Sequence, residues 1–404
     1  MSVQYTRFLS NLTAFMRASE IRELLKLIEK KKVISLAGGI PDPSLFPIDD
    51  LTKITQEIII NQGQTALQYA PTKGVTIFRE TLVDFIRRMR GIRVPNPECI
   101  VVTAGSQQAL DIIGRVFINP GDVVLVELPS YLAAINAFRV YNPLFVGIPM
   151  DENGLRTDIL EEKLKILKNE GKNIKFLYTV PTAHNPTGLT MSIDRRKHLI
   201  ELANKYDFLI VEDDVYGSLI FENVDVTPIK ALDKNGRVIY VSSFSKILAP
   251  GLRLGYVVAE EPITDIFEKA KQSLDLHAST LSQFIAMEAI RRGVIEKNLP
   301  RIRSEYRKKR DIMLDALEEN FPKGCSWSRP IGGMFIFIWL PEQIKTHELL
   351  SKAIERGVVY VPGRPFFVDS TGENTMRLSY SYPSEENIRK GVGILGSLIK
   401  EELK

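Results

Sequence analysis

Cysteine is scarce in this chain: only Cys99 and Cys325 occur among 404 residues, far apart. Two distant thiols make no disulfide framework and point to a reducing compartment, so a cytoplasmic protein is expected. Histidine is almost as rare, with four scattered residues, His184, His198, His277 and His347. No CxxC or HExxH cluster occurs, so no metal site is expected. No apolar run approaches transmembrane length, and the N-terminus has no apolar signal core. Arg7 and Arg17 precede the first acid, Glu20, which faintly resembles a transit sequence. Residues 19–25 nevertheless read as a capped helix, so a structured N-terminal arm is the expectation. Net charge is only +4, and no strong field favours nucleic acid. The basic cluster around Arg301, Arg303, Arg307, Lys308, Lys309 and Arg310 alternates with acids and apolar residues. It reads as the solvated face of a long helix. Internal repeats and low-complexity segments are absent, which excludes a solenoid.

What is present suits an ordinary globular chain of two or three domains, with 44% hydrophobic and 25% charged residues. From about residue 75, helix-period stretches (75–89, 107–117, 130–138, 158–168, 192–205) separate short β-branched runs. Those runs are 100–103, 123–127, 143–148, 174–180, 208–212 and 238–241. Strands alternating with helices predict an α/β domain with a mostly parallel sheet between helices. Residues 263–293 read as helical throughout, and 299–321 as a long amphipathic helix. The tail changes character, with strands expected at 332–340, 358–361 and 375–381 around a helix at 347–356. A smaller α+β unit is expected there.

Several strand ends carry chemistry. Lys246 follows the apolar run Val238-Ile239-Tyr240-Val241, among Ser242, Ser243 and Ser245, with Arg253 close behind. A lysine so placed can pair with a phosphate. It can also form a Schiff base with an aldehyde whose phosphate the hydroxyls and arginine hold. Thr103-Ala104-Gly105-Ser106-Gln107 reads as strand, small-residue turn and helix, whose free N–H groups make an anion site. Neither GxGxxG nor GxxxxGK[ST] occurs, which counts against dinucleotides and nucleoside triphosphates. Glu212-Asp213-Asp214 ends another apolar strand just before Tyr216. One of these acids can cap a helix, or one can face a ring nitrogen in the crevice; a metal would need more ligands. Asn185, in His184-Asn185-Pro186-Thr187-Gly188, sits in a turn that could hold its amide rigidly. Arg377 lies inside a strand of small and apolar residues, as an inter-strand ion pair or a carboxylate clamp.

Taken in this order and spacing, these motifs resemble the fold-type-I, class I pyridoxal-phosphate aminotransferases, from roughly Leu36 onward. Within them the chain is most similar to the 2-aminoadipate, kynurenine and archaeal multisubstrate or alanine–glyoxylate aminotransferase branch. Residues 19–25 and 37–47, Leu67-Gln68-Tyr69, residues 105–110 and Gly332-Gly333-Met334-Phe335 carry that likeness. The resemblance implies that Lys246 carries the cofactor and shuttles the proton, and that Asp213 pairs with its ring nitrogen. It implies that Tyr216 and Asn185 bond the phenolic oxygen and that Tyr131 stacks on the ring. Ser106, Gln107, Ser243, Ser245 and Arg253 would hold the phosphate, joined by Tyr69 of the neighbouring subunit of a homodimer with shared sites. Arg377 and the Gly39 backbone would hold the substrate carboxylate, and Arg22 could meet a second carboxylate.

The resulting expectation is a ping-pong aminotransferase moving an amino group from an L-amino acid to a 2-oxo acid. Glutamate/2-oxoglutarate, 2-aminoadipate, aromatic and alanine/glyoxylate pairs are open. A β-lyase or decarboxylase of the same fold is the alternative. A non-catalytic regulator ranks lower, because no helix-turn-helix pattern precedes the fold. The expected division is an N-terminal arm at 1–45, a large cofactor-binding domain at 46–295 and a small α+β domain at 296–404.

Overall fold

The computed structural model of the protein describes residues 5–17 and 33–404. Residues 19–25 and Arg22 therefore lie outside the described residues. The chain enters through β1 (Ile34–Ser35). Eight further strands build the central sheet. They are β2 (Ile100–Thr103), β3 (Val123–Leu128), β4 (Leu144–Asp151), β5 (Gly154–Leu155), β6 (Ile174–Thr179), β7 (Leu209–Asp213), β8 (Val238–Ser243) and β9 (Gly255–Val258). Their order across the sheet is β2-β9-β8-β7-β6-β3-β4-β5. Strands β8, β7, β6, β3 and β4 pair in parallel. Strand β9 runs against both neighbours, and β5 folds back on β4. Apolar runs such as Val123-Val124-Leu125-Val126 are fully buried, as a sheet covered by helices on both faces requires.

Helices Ser106–Phe117, Leu132–Arg139, Thr157–Asn169 and Ile193–Tyr206 follow strands, close to the expected positions. The expected single helix over 263–293 is two, Glu261–Gln272 and Thr280–Arg291. Between them Leu276 takes a left-handed φ of 65°. Asp275 accepts from Lys271 Nζ at 2.8 Å and from Gln108 Nε2 at 2.7 Å. Ser279 then caps the second helix by accepting from the Ser282 N–H at 3.2 Å. The apolar period runs through this break and hides it. The helix Ile48–Ala66, strand β9 and the C-terminal helix Glu385–Glu402 went unread in the sequence.

A four-stranded sheet forms the second layer, in the order β10 (Ser326–Trp327), β11 (Phe335–Trp339), β14 (Thr375–Ser379) and β13 (Val361–Pro362). The strand expected over 358–361 is split. Strand β12 (Val358–Val359) pairs with β1, while β13 pairs with β14. The basic cluster on the helix Val294–Asn320 is not a solvated face throughout. Lys309 is 3% exposed, with Nζ 2.6 Å from Asp42 Oδ2. Arg310 Nη1 lies 3.0 Å from Glu222 Oε1 and donates to the Pro330 carbonyl at 2.8 Å. Their partners lie far off in sequence, where charge patterning alone does not reach. No helix among the described residues is long and apolar enough to cross a membrane.

Candidate active site

The parallel pairing sets Thr179 beside Glu212 and Asp213 beside Val241, so the carboxyl ends of β6, β7 and β8 lie side by side. Chain order reverses between β3 and β6, and a crevice opens at such a switch point. A cleft of about 970 Å³ lies there. Its lining includes Gly39, Ser106, Gln107, Tyr131, Asn185 and Asp213, together with Tyr216, Ser243, Ser245, Lys246, Arg253 and Arg377.

Lys246 ends a single 3-10 turn that follows β8 directly. Its Nζ donates to the Gly39 carbonyl at 3.1 Å. Burial, and then the charges of Arg377 and Arg253, push its pKa down to about 8. Ser243 turns the backbone by accepting from the Ser245 N–H at 3.1 Å, and its hydroxyl meets Ser245 Oγ at 2.9 Å. Gly105 precedes the helix Ser106–Phe117 with a φ of 80°. A Cβ there would stand 2.7 Å from Arg253 Nη2. A Cβ on Gly255 would stand 2.9 Å from the Ser106 nitrogen. Two glycines, a helix N-terminus and a guanidinium thus form a cradle for an anion.

The three acids at the end of β7 part company. Glu212 accepts from the N–H groups of Ile229 and Lys230 at 2.8 and 2.7 Å. Asp214 takes Arg90 Nε at 2.6 Å and the Tyr240 hydroxyl at 2.8 Å. Asp213 lines the cleft. Its Oδ2 accepts from the Tyr178 hydroxyl at 2.8 Å, and its buried Oδ1, like that of Asp214, has no hydrogen-bond partner among the described residues. Burial pushes Asp213 up to about 7; the Tyr178 bond opposes that rise, and the nearby Asp214 and Glu127 add to it.

Asn185 links two further groups. Its Nδ2 donates to the Tyr216 hydroxyl at 3.4 Å, and its Oδ1 accepts from Arg377 Nη1 at 2.8 Å. Arg377 also donates to the Ala37 carbonyl at 2.8 Å, and its guanidinium lies 4.2 Å from the Phe335 ring centroid. Arg377 is 2% exposed, and among the described residues no carboxylate pairs with it. The inter-strand ion pair is therefore absent there, and among those residues Nε has no hydrogen-bond partner. Burial penalises its charged form and lowers its pKa, a penalty that an incoming carboxylate would offset.

Tyr69 is the exception among the described candidates. It is 79% exposed, outside this cleft, with its ring edge-on to His277. Sequence reasoning missed Gln108, Asn136, Phe335 and Arg17 in the lining. Phe335 stood in a quoted motif without a role. Gln108 accepts from the Ala104 N–H and from Lys271 at 2.8 Å each, bracing the turn under the cradle.

The cradle, the unpartnered acid and the buried lysine fit a cofactor carrying both a phosphate and a basic ring. Comparison with known proteins agrees. Residues 31–395 match the family described as aminotransferase class I and II. The chain is 50% identical over 403 residues to aromatic-amino-acid aminotransferase 1 of Thermococcus litoralis, covering 100% of this chain and 96% of that one. The crystal structure of a multiple substrate aminotransferase from Thermococcus profundus superposes with a TM-score of 0.96 at 49% identity, covering 99% of each chain. An α-aminoadipate aminotransferase from Thermus thermophilus, solved with N-(5'-phosphopyridoxyl)-L-leucine, gives 0.91 at 38% identity over 99% of each chain. With a family match across most of its length and relatives at half identity end to end, the chain belongs to the class I and II aminotransferases.

Proposed function

We propose that the protein is a pyridoxal 5'-phosphate aminotransferase that works as a homodimer by two half-reactions. An L-amino acid gives up its amino group in the first, and a 2-oxo acid receives it in the second. The observation that carries this reading is that one cleft holds Lys246, Asp213 with an Oδ1 that has no partner among the described residues, and Arg377 with no carboxylate partner among them. When bound, the cofactor supplies an electron sink for the carbanion formed at the substrate Cα.

The chain's own groups then divide the work. Arg377 clamps the α-carboxylate with two parallel donors, and the amide of Asn185 holds the guanidinium in place. Lys246, whose pKa is lowered by burial to about 8, would hold the cofactor and supply the amine that moves a proton at the substrate Cα. Asp213 would face the ring nitrogen and favour its protonated form. Tyr216 and Asn185 would bond the phenolic oxygen, and Tyr131 would cover the ring. Ser106, Gln107, Ser243, Ser245 and Arg253 would hold the phosphate, with Tyr69 of the partner subunit reaching in. Exposure of Tyr69, and of Ile60 and Leu67 nearby in sequence, supports that shared arrangement.

The substrate range is read as broad, covering glutamate, 2-aminoadipate, aromatic and alanine/glyoxylate pairs. The T. profundus and T. litoralis relatives are named for multiple and aromatic substrates. A second carboxylate would meet Arg22 or Arg17; Arg17 lines the cleft and has no ion-pair partner among the described residues. Divisions at about residues 45 and 295 follow sheet membership. A cytoplasmic location is supported by the two free cysteines. The deciding experiment offers the purified enzyme single amino donors and follows the loss of cofactor absorbance in each half-reaction. Bleaching by glutamate and by an aromatic donor, reversed by the matching 2-oxo acids, is expected. No bleaching by any amino donor would overturn the reading.

A further inference from the structure

Four buried carboxylates stand in the layer around this cleft, and they differ in what holds them. Glu127 accepts from Thr179 Oγ1 at 2.6 Å and the Val180 N–H at 2.9 Å, and lies 3.0 Å from His184 Nε2. His184 Nδ1 accepts from the Thr187 N–H at 3.3 Å, while its Nε2, close to Glu127, makes no hydrogen bond among the described residues. Glu212 has two backbone donors, and Asp214 has the Arg90 cation. Asp213 has neither a backbone donor nor a cation among the described residues. Its one hydrogen bond comes from the phenol of Tyr178.

We propose that Tyr178 is a positioning residue: its hydroxyl holds Asp213 Oδ2, which aims Oδ1 into the cleft and tempers the basicity of the buried carboxylate. This rests on the reading that Asp213 faces the cofactor's ring nitrogen. The sheet explains the reach. Tyr178 stands opposite Val211 across β6 and β7, and Asp213, two residues on, shares that face. Tyr178 is 0% exposed, and its ring packs edge-on against Phe138 at 5.6 Å. The phenol therefore has little freedom and one acceptor.

Two effects follow. One oxygen is pinned, so the rotamer that aims the other is fixed before any ligand arrives. The donated proton also draws charge from the carboxylate and makes it a weaker base. The neighbouring carboxyl groups Asp214 and Glu127 act the other way, and Arg90 pairs with Asp214. A carboxylate and a ring nitrogen that share one proton compete for it. The weaker base leaves the proton on the ring, and the pair stays ionic. A cation in place of the phenol would cancel the negative charge that holds the ring proton.

The test is Tyr178→Phe, which removes the hydroxyl and keeps the ring against Phe138. The holoenzyme is prepared with cofactor labelled with 15N in the ring, and its solid-state 15N chemical shift is read. The expected shift moves from the pyridinium value towards that of neutral pyridine. At the same time kcat falls about tenfold, as for loss of one hydrogen bond to a charged group, while KM for the amino donor stays within about twofold. Difluorotyrosine at position 178 is a stronger donor of nearly the same shape and should leave the ring fully protonated; it also serves if Tyr178→Phe does not fold. Asp213→Asn separates the two ideas. A ring nitrogen still protonated in Asp213→Asn overturns the role of Asp213 itself. Loss of protonation there, with wild-type shift and kcat in Tyr178→Phe or with a deprotonated ring in the difluorotyrosine variant, overturns the role of Tyr178 alone.

Discussion

Asp213 and Asp214 are adjacent and chemically identical, yet their surroundings assign them different work. Asp214 is locked to Arg90, and both are buried. Asp214→Asn should therefore cost stability, about 3 kcal/mol for a buried pair losing one charge, with a modest effect on turnover. Asp213→Asn should lower kcat by roughly a hundredfold or more, since a charge aimed into a dry site acts on the transition state. Chemical denaturation and steady-state rates on the two variants separate these outcomes, and the reverse ranking would exchange their roles. The cofactor-free protein carries a second signature. Asp213 rises from 3.8 to about 7 on folding, so the folded state binds the extra proton between those values. That stability is present at low pH and is lost as pH rises through 7. Asp213→Asn removes the loss, so the melting temperature of the cofactor-free variant should exceed wild type at pH 8 and converge with it near pH 4. Lys246 falls from 10.5 to about 8 and has the opposite slope, with stability gained as pH rises between those values. Borohydride reduction followed by peptide mapping should find the cofactor on Lys246 and on no other lysine.

At the scale of elements, the site depends on how two strands end. Strand β2 passes into Gly105 and the helix Ser106–Phe117, while β8 passes into the turn that carries Lys246. Gly105 is needed twice: its φ is positive, and its missing Cβ leaves room for Arg253. Gly105→Ala should weaken cofactor binding about tenfold or more by displacing Arg253 and straining the turn. Spectrophotometric titration of the cofactor-free protein reads this directly, and unchanged affinity would remove Gly105 from the cradle. The strand–helix alternation was legible because its periods are local. Such a period is blind to a break like residues 273–279, where a tertiary bond from Gln108 to Asp275 ends one helix and Ser279 starts the next.

At the scale of the whole molecule, Tyr69 lies on an exposed apolar surface. It stands 79% exposed, with Leu67 at 67% and Leu276 at 53%. The Tyr69 ring meets His277, and Thr280 Oγ1 donates to the Gln68 carbonyl at 2.8 Å, so these segments form one surface. If a second subunit lies there and lends Tyr69, two defective variants should complement each other. Lys246→Ala and Tyr69→Ala, unfolded together and refolded, should regain up to about a quarter of wild-type activity, because half the dimers hold one intact site of two. Separately refolded controls should stay low. No gain on mixing, with dimers present by light scattering, would place Tyr69 in its own subunit's site.

The sequence alone was enough to read alternating strands and helices, a lysine and a row of acids at strand ends, and an arginine within a strand. Each of these is written in a few neighbouring residues, through side-chain period and the chemistry of turns. Other properties depended on partners from elsewhere in the chain. Arg90, 124 residues from Asp214, decides which acid is left for the cleft, and Tyr178, 35 residues from Asp213, decides how that acid is held. Strand β9 runs antiparallel to β2, which lies far earlier in the chain, as well as to β8. Lys309 and Arg310 leave water because Asp42 and Glu222 wait beneath them. Burial and pairing arise from long-range packing, so the roles of identical residues diverged only in the folded chain.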